Sequence, residues 1–326
     1  MRAILCREYG AIDKLAVADV AEPPLRAGQV LIDVHAAGIN FGEMLMVLGT
    51  YQEKPPVPFT PGFEAAGVVR ATGDGVTNVK PGDRVMAALP WGGYAEVAVA
   101  AANAVFPIPS SMDFVTAAAF PIAYGTAYGA FAWRAHLGPG ETVLVLGAAG
   151  GVGLAAVEVA AAMGARVIGA AGDAEKCAVA QAHGAAHTID YRREDLRERV
   201  RAFTDGRGAD VVFDPVGGDA FAQALRAVAW SGRILVIGFA SGSVPQIPAN
   251  HVLVKNVDIV GFQWGSYRTR RPDLLTQGFA RLAGWHAEGR LRPAISHRLK
   301  LAAVPEAYRL LRERRATGKI VLETRA

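Results

Sequence analysis

The sequence predicts an α/β chain in two parts: a β-rich domain first, then a doubly wound parallel sheet. Three observations predict it. After Pro109, strand-like and helix-like segments alternate at short spacing. A glycine-rich turn, Gly147-Ala148-Ala149-Gly150-Gly151-Val152-Gly153, stands between an apolar strand and a helix pattern. The first third instead reads as short strands separated by turn signals such as Pro81-Gly82-Asp83.

Each element has its own warrant. Residues 30–35 alternate apolar and polar side chains as a half-buried strand does, and residues 63–71, 84–88 and 94–99 are further strands. Residues 113–132, rich in alanine and aromatics, read as helical, broken near Pro121 and Gly125. Strands at 142–146, 166–170 and 188–190 then alternate with helices at 152–163 and 174–183. Strands at 211–214, 233–237 and 258–262 follow, with a helix at 221–228. This alternation implies a parallel sheet covered on both faces. The tail holds helices near 274–288 and 305–314 and a final strand at 319–323.

Composition narrows the function classes. With 326 residues, 52% of them hydrophobic and 20% charged, the chain fills two cores and is not disordered. The net charge of +4 is spread along the chain, and no nucleic-acid motif flanks its basic stretches. Two cysteines, Cys6 and Cys177, exclude a disulfide framework and a cysteine-rich zinc site. The longest uncharged stretch, residues 114–133, carries Pro121, Gly125 and Gly129 and reads as buried rather than membrane-spanning. Charge interrupts any signal-type core at the N-terminus, so a cytoplasmic protein is expected. His183 and His187 are separated by Gly184, which breaks the helix between them and removes them as a metal pair.

The glycine turn carries the chemistry. Glycines let the backbone turn sharply and approach a pyrophosphate, and the helix that follows offers N–H groups and a partial positive charge to the phosphates. Ala149, Gly150, Gly151 and Val152 are the contact residues expected there. An acid at the tip of the second strand would bond the ribose hydroxyls of NAD and repel a 2′-phosphate. That tip reads Gly169-Ala170-Ala171-Gly172, with no acid. Asp173 follows as a helix N-cap, and Lys176 in the first turn is placed to reach a 2′-phosphate. The expected cofactor is NADP, as NADPH.

Several segments in order then resemble a known family. They are Gly38-Ile39-Asn40-Phe41, the stretch from Gly49 to Glu64, the glycine turn itself, Asp214-Pro215-Val216-Gly217-Gly218 and Ala316-Thr317-Gly318-Lys319-Ile320-Val321. Together they resemble the quinone oxidoreductase branch of the medium-chain dehydrogenase/reductase superfamily over essentially the whole chain. The resemblance implies a GroES-like catalytic domain at residues 1–122 and a Rossmann domain at 123–262. It also implies a tail, 263–326, that returns to the catalytic domain, and a cleft where nicotinamide meets substrate. A homodimer through the sheet edge at 258–262 is implied as well. Zinc-dependent relatives place ligands at positions that here read Asn40 or its neighbours, Phe63 and about Ile122, so a zinc-free reductase is expected.

The resemblance also implies site residues. Asn40 lies near the nicotinamide, within reach of the substrate oxygen or the cofactor, and Tyr51 supplies a proton or hydrogen bond. Glu43 and Glu64 are further polar candidates, with Glu64 bracing the fold. Tyr124 and Thr126 precede the first Rossmann strand on the nicotinamide side. Tyr191 flanks the adenine or the 2′-phosphate beside Gly172 and Lys176. Val216 and Gly238-Phe239-Ala240 end parallel strands, where ligands of open sheets bind. Phe262 and Trp264 close over the nicotinamide, and Arg315 and Lys319 add charge at the phosphates. The expected reaction is hydride transfer to a small electron-poor acceptor, a quinone or similar carbonyl. An enoyl-thioester or alkenal reductase and a non-catalytic dinucleotide binder are the alternatives.

Overall fold

The computed structural model describes residues 1–325. Before residue 122 lie β1 (Arg2–Leu5), β2 (Ala16–Asp19), β3 (Gln29–Ile39), β4 (Glu64–Thr72), β5 (Arg84–Ala88), β6 (Val97–Ala101) and β7 (Val105–Pro107). The middle of the chain holds β8 (Thr142–Leu146), β9 (Arg166–Ala171), β10 (His187–Asp190), β11 (Ala209–Asp214), β12 (Val228–Val236) and β13 (Asp258–Gly261). β14 (Ile295–Lys300) and β15 (Lys319–Glu323) lie in the tail. The chain divides into two compact units: residues 1–122 with 265–287 and 293–326, and residues 123–264 with 288–292.

The first unit is built on β3. It pairs antiparallel with β4, β6 and β15, in a sheet ordered β14-β15-β3-β4-β5-β7. The register sets Ile320 opposite Ile39, which brings Lys319 to the point where β3 ends and Asn40 begins. From Gln29 to Ala36 the residues of β3 alternate between partly covered and buried, the period-2 pattern of a strand with one face on the core, and the end of the strand from Ala36 to Ile39 is buried throughout. A core of Ile4, Met46, Phe59, Tyr94, Tyr308 and their neighbours packs against the far end of that strand.

The second unit is an all-parallel sheet in the order β10-β9-β8-β11-β12-β13. Every residue of β8 is buried, the mark of a parallel strand covered on both faces. Strand order reverses between β8 and β11. In open α/β sheets such a reversal leaves a crevice outside the carboxyl ends of the strands. Among the described residues no helix is long and apolar enough to cross a membrane.

The sequence pattern and the structure differ in instructive places. Gly125 does not break a helix: it lies inside Pro121–Gly129, where a Cβ would come within 2.8 Å of the Trp264 ring. The glycine is there to admit an indole. The break falls earlier, between the helix Phe114–Ala118 and Pro121. β1, β14 and the helices Leu196–Phe203 and Ala249–Lys255 escape the hydrophobic pattern, because each is short or charged. Leu196–Phe203 buries only Leu196 and Val200, an i, i+4 pair too sparse to stand out.

Candidate active site

The glycine turn folds as its chemistry requires. Gly147 has φ +61°, and its carbonyl accepts from Gly150 N–H at 2.9 Å, closing the turn. Gly150 then caps the helix Gly151–Ala162. A Cβ on Gly153 would lie 2.1 Å from the Gly147 carbonyl oxygen, so only glycine lets strand and helix approach this closely. The first N–H groups of that helix have no intrahelical acceptor, and they face the end of β8.

The neighbouring strand ends converge on the same edge. Asp214, the last residue of β11, accepts from Val216 N–H at 2.7 Å and Gly217 N–H at 2.9 Å through one carboxylate oxygen. This fixes the loop that sets the Val216 side chain 3.2 Å from where a Cβ on Gly147 would be. The loop after β12 runs alongside: Ala240 N–H donates to Pro215 O at 3.0 Å and Ser241 N–H to Val216 O at 2.9 Å. The fold thus brings Ala149–Val152, Gly172, Val216 and Gly238–Ala240, spread over about ninety residues, to the carboxyl ends of adjacent strands. The sequence missed the brace, Asp214. The Asp-Pro-Val-Gly-Gly pattern was its signal, since an aspartate before a turn commonly bonds backbone N–H groups.

At the end of β9, Gly172 leads into Asp173, which caps the helix Ala174–Ala182. Asp173 accepts from Lys176 N–H at 2.8 Å and from its ammonium at 2.9 Å. These bonds and the nearby charges of Lys176 and Arg192 hold the carboxyl below the usual carboxylate range. Tyr191 N–H donates to Ala171 O at 3.1 Å, which lays the Tyr191 hydroxyl and the Arg192 guanidinium against Gly172.

In the first unit a buried polar network surrounds Asn40. Lys319 Nζ donates to Ile39 O at 2.9 Å, Asn40 Oδ1 at 2.6 Å and Glu64 Oε1 at 2.7 Å. Asn40 Nδ2 donates to Glu64 at 2.8 Å and Glu43 at 3.1 Å. Glu43 also accepts from Asn40 N–H at 2.7 Å, Phe63 N–H at 2.6 Å and the Tyr94 hydroxyl. Burial pushes the Glu43 carboxyl up to about 7, and the Glu64 charge adds to this, against the pull of the Tyr94 and Phe63 bonds and the Lys319 charge. Burial and the Glu43 charge push the Tyr94 hydroxyl up. Tyr51 is half-buried, its ring 5.5 Å from that of Phe63, so the network reaches it through the Phe63 backbone.

Of the expected site residues, this geometry corrects Lys319 and places the others as follows. Lys319 is 3% exposed and its three ammonium protons have three acceptors, so it braces Asn40 and cannot serve a phosphate. The Tyr124 ring is buried with its hydroxyl on Glu158 at 2.6 Å, the role of a packed tyrosine. Glu158 also accepts from Arg292 N–H and meets His183, a buried hub that the sequence pattern does not disclose. Phe262 and Trp264 are buried, their rings set against Gly129 and Gly125. Thr126 is buried in the helix Pro121–Gly129. Arg315 is exposed and pairs with Glu313 at 3.4 Å.

Comparison with known proteins fits this geometry. Residues 26–110 match the alcohol dehydrogenase GroES-like domain, and residues 151–278 match the zinc-binding dehydrogenase domain. The quinone oxidoreductase-like protein 2 homolog of Nematostella vectensis is 45% identical over 99% of this chain and 89% of its own. Human quinone oxidoreductase is 34% identical over 99% of this chain and 97% of its own. The chain belongs to the quinone oxidoreductase branch of the medium-chain dehydrogenase/reductase superfamily. It is an oxidoreductase with a GroES-like unit and a Rossmann unit. The structure of Escherichia coli quinone oxidoreductase complexed with NADPH superposes with a TM-score of 0.91 at 29% identity, covering 99% of this chain and all of the other.

Proposed function

We propose that this chain is an NADPH-dependent quinone reductase that works without zinc. The glycine turn carries the reading: Gly153 against the Gly147 carbonyl makes a cradle that any Cβ would fill, at the switch point of a parallel sheet. Those residues fit a dinucleotide pyrophosphate, which Gly151 and Val152 would hold through backbone N–H groups. When bound, NADPH supplies a hydride. Zinc does not fit: Phe63 and Ile122 carry hydrocarbon side chains, and the Asn40 amide is bonded through both of its polar atoms.

The chain's own part is positioning and proton supply. Lys319 and the two carboxylates fix the Asn40 amide in one orientation. Both Nδ2 protons are taken by Glu43 and Glu64, so Asn40 has none to donate to a substrate oxygen. Of the two expected catalytic residues, Tyr51 carries the hydroxyl that can donate to a quinone oxygen as charge develops on it. The acceptor is small and electron-poor. A homodimer is supported by β13, a sheet edge that among the described residues pairs only with β12, and by Leu253 and Val254, 77% and 74% exposed on the helix Ala249–Lys255.

The test is an acceptor panel. NADPH oxidation is measured with a quinone, an alkenal and an enoyl-CoA. The quinone is expected to turn over fastest; faster turnover of the thioester would move the assignment to enoyl reduction. Tyr51→Phe is expected to lower kcat with NADPH affinity unchanged, and full activity in that variant would remove Tyr51 from the mechanism.

A further inference from the structure

The Asn40 network holds two carboxyl groups and one ammonium, and the partners of the two acids differ in kind. Glu64 meets groups that can only donate: the Lys319 ammonium at 2.7 Å, Asn40 Nδ2 at 2.8 Å and Ile122 N–H at 2.8 Å. Glu43 meets three N–H donors as well, but its fourth partner, the Tyr94 hydroxyl, can also accept. Beside Tyr94 lies Tyr308, on the helix Val304–Arg312, the two ring centres 6.5 Å apart. The Tyr308 hydroxyl is fully buried and, with Tyr94 turned to Glu43, has no partner in hydrogen-bond geometry among the described residues. With both acids ionised, the network carries one uncompensated negative charge and one orphaned hydroxyl, and both are unfavourable when buried. A single proton removes both faults. Glu43 as the neutral acid donates to the Tyr94 oxygen, and the released Tyr94 hydroxyl donates to Tyr308.

We propose that Glu43 keeps one proton in the working protein and that Tyr94 and Tyr308 are the positioning residues that hold it, so that the network beside Tyr51 carries no net charge when the acceptor oxygen turns negative. This rests on the quinone-reductase reading above. The Tyr51 ring lies 3.4 Å from where a Cβ on Gly42 would be, one residue before Glu43. An ionised Glu43 there would oppose the charge that hydride transfer places on the acceptor. The proton stays in the network through turnover, because the Glu43 oxygens face Asn40, Phe63 and Tyr94 and the acceptor takes its proton from Tyr51. The other titratable groups around Glu43 and the two tyrosines are Glu64 on β4, Lys319 on β15 and Cys6, just after β1. Glu64 repels an ionised Glu43 and Lys319 attracts it. Burial pushes up the Cys6 thiol and both tyrosine hydroxyls, so none of them ionises in place of Glu43.

Tyr308→Phe tests the proton without turnover. While Glu43 holds it, Tyr308 accepts from Tyr94, and the variant is expected to lower Tm by about 2–4 °C at about pH 5.5. At about pH 8.5 the hydroxyl is orphaned, and its removal is expected to leave Tm unchanged or to raise it. In a Glu43→Gln background, where an amide donates to Tyr94 at every pH, the effect of Tyr308→Phe is expected to be the same at both values. An infrared carboxylic-acid band that fades as pH rises through about 7, and is missing in Glu43→Gln, is expected to report the same proton. With a quinone, kcat is expected to fall through that midpoint with KM little changed, and Tyr308→Phe to move the midpoint down by about one unit. An equal Tm change at both pH values in the wild-type background, with no such band, overturns the proposal and leaves the quinone-reductase reading standing. A Tm reversal with a kcat indifferent to that midpoint overturns the part in turnover. No quinone turnover at any pH overturns the reading on which that part rests.

Discussion

Lys319 in the first unit and Lys176 in the second both carry an ammonium that the sequence offers to a phosphate, and the fold treats them oppositely. Lys319 is sealed among Ile39, Asn40 and Glu64, each of its protons matched to an acceptor. Lys176 sits on a rim with Asp173 as its ion-pair partner and a quarter of its side chain in water. The first unit buries its charges to hold one amide still. The second keeps donors at strand ends, where a ligand can take them. Residue type and local pattern were the same kind of signal at both lysines. The number of acceptors around each nitrogen separates a sealed brace from a partly exposed ion pair.

The largest expected difference lies between those two lysines. Lys319→Met leaves a buried Glu64 carboxylate without its cation, and is expected to cost about 3–5 kcal/mol in urea unfolding. Lys176→Met removes a partly exposed pair and is expected to cost less than about 1 kcal/mol. Similar small costs at both positions would mean that the Asn40 network does not hold the first unit together.

The next largest effect is a pH dependence confined to the first unit. Glu43 moves from an ordinary 4.5 to about 7 in the folded chain. Between those values the folded state holds a proton that the unfolded state has lost. Stability from this group is therefore complete below about 4.5 and declines as pH rises through about 7. Relative to Glu43→Gln, the wild type is expected to lose about 3 kcal/mol between pH 4.5 and 8. A constant difference between the two proteins across that range would show that the hydrogen bonds from Tyr94 and Phe63 outweigh the burial of the carboxylate.

The smallest pair compares glycines. Gly153→Ala drives a Cβ into the Gly147 carbonyl and is expected to cost about 1–3 kcal/mol, with weaker NADPH binding. Gly284, exposed in the helix Pro272–Ala287, has nothing within 4 Å of a built Cβ, and Gly284→Ala is expected to stabilise by about 0.4–1 kcal/mol. Thermal melts of both variants check the signs. A tolerated alanine at 153 would remove the argument that the cradle requires glycine.

What was legible in the sequence follows from where each signal resides. The second unit could be read almost strand by strand, because β8 and β9 are continuous apolar runs and the turn between β8 and its helix is local. The strand order that gathers Val216 and Gly238 beside Gly150 follows from the rules for parallel sheets. The first-unit network was legible only in part. Asn40, Glu43 and Glu64 lie near one another in the chain, but Lys319 arrives from 279 residues beyond Asn40 through the pairing of β15 with β3. Tyr94 joins from 51 residues beyond Glu43 through its hydroxyl, and Tyr308 packs beside it. Only the coordinates show that Lys176 is already paired.

The most direct measurement of the central claim is the rate of NADPH oxidation by chelator-treated protein with a quinone, set beside the same assay with NADH. The geometry of the cradle and the missing metal donors predict undiminished turnover after chelation, faster with NADPH. Activity that returns only when zinc is added, or that favours NADH, would contradict it.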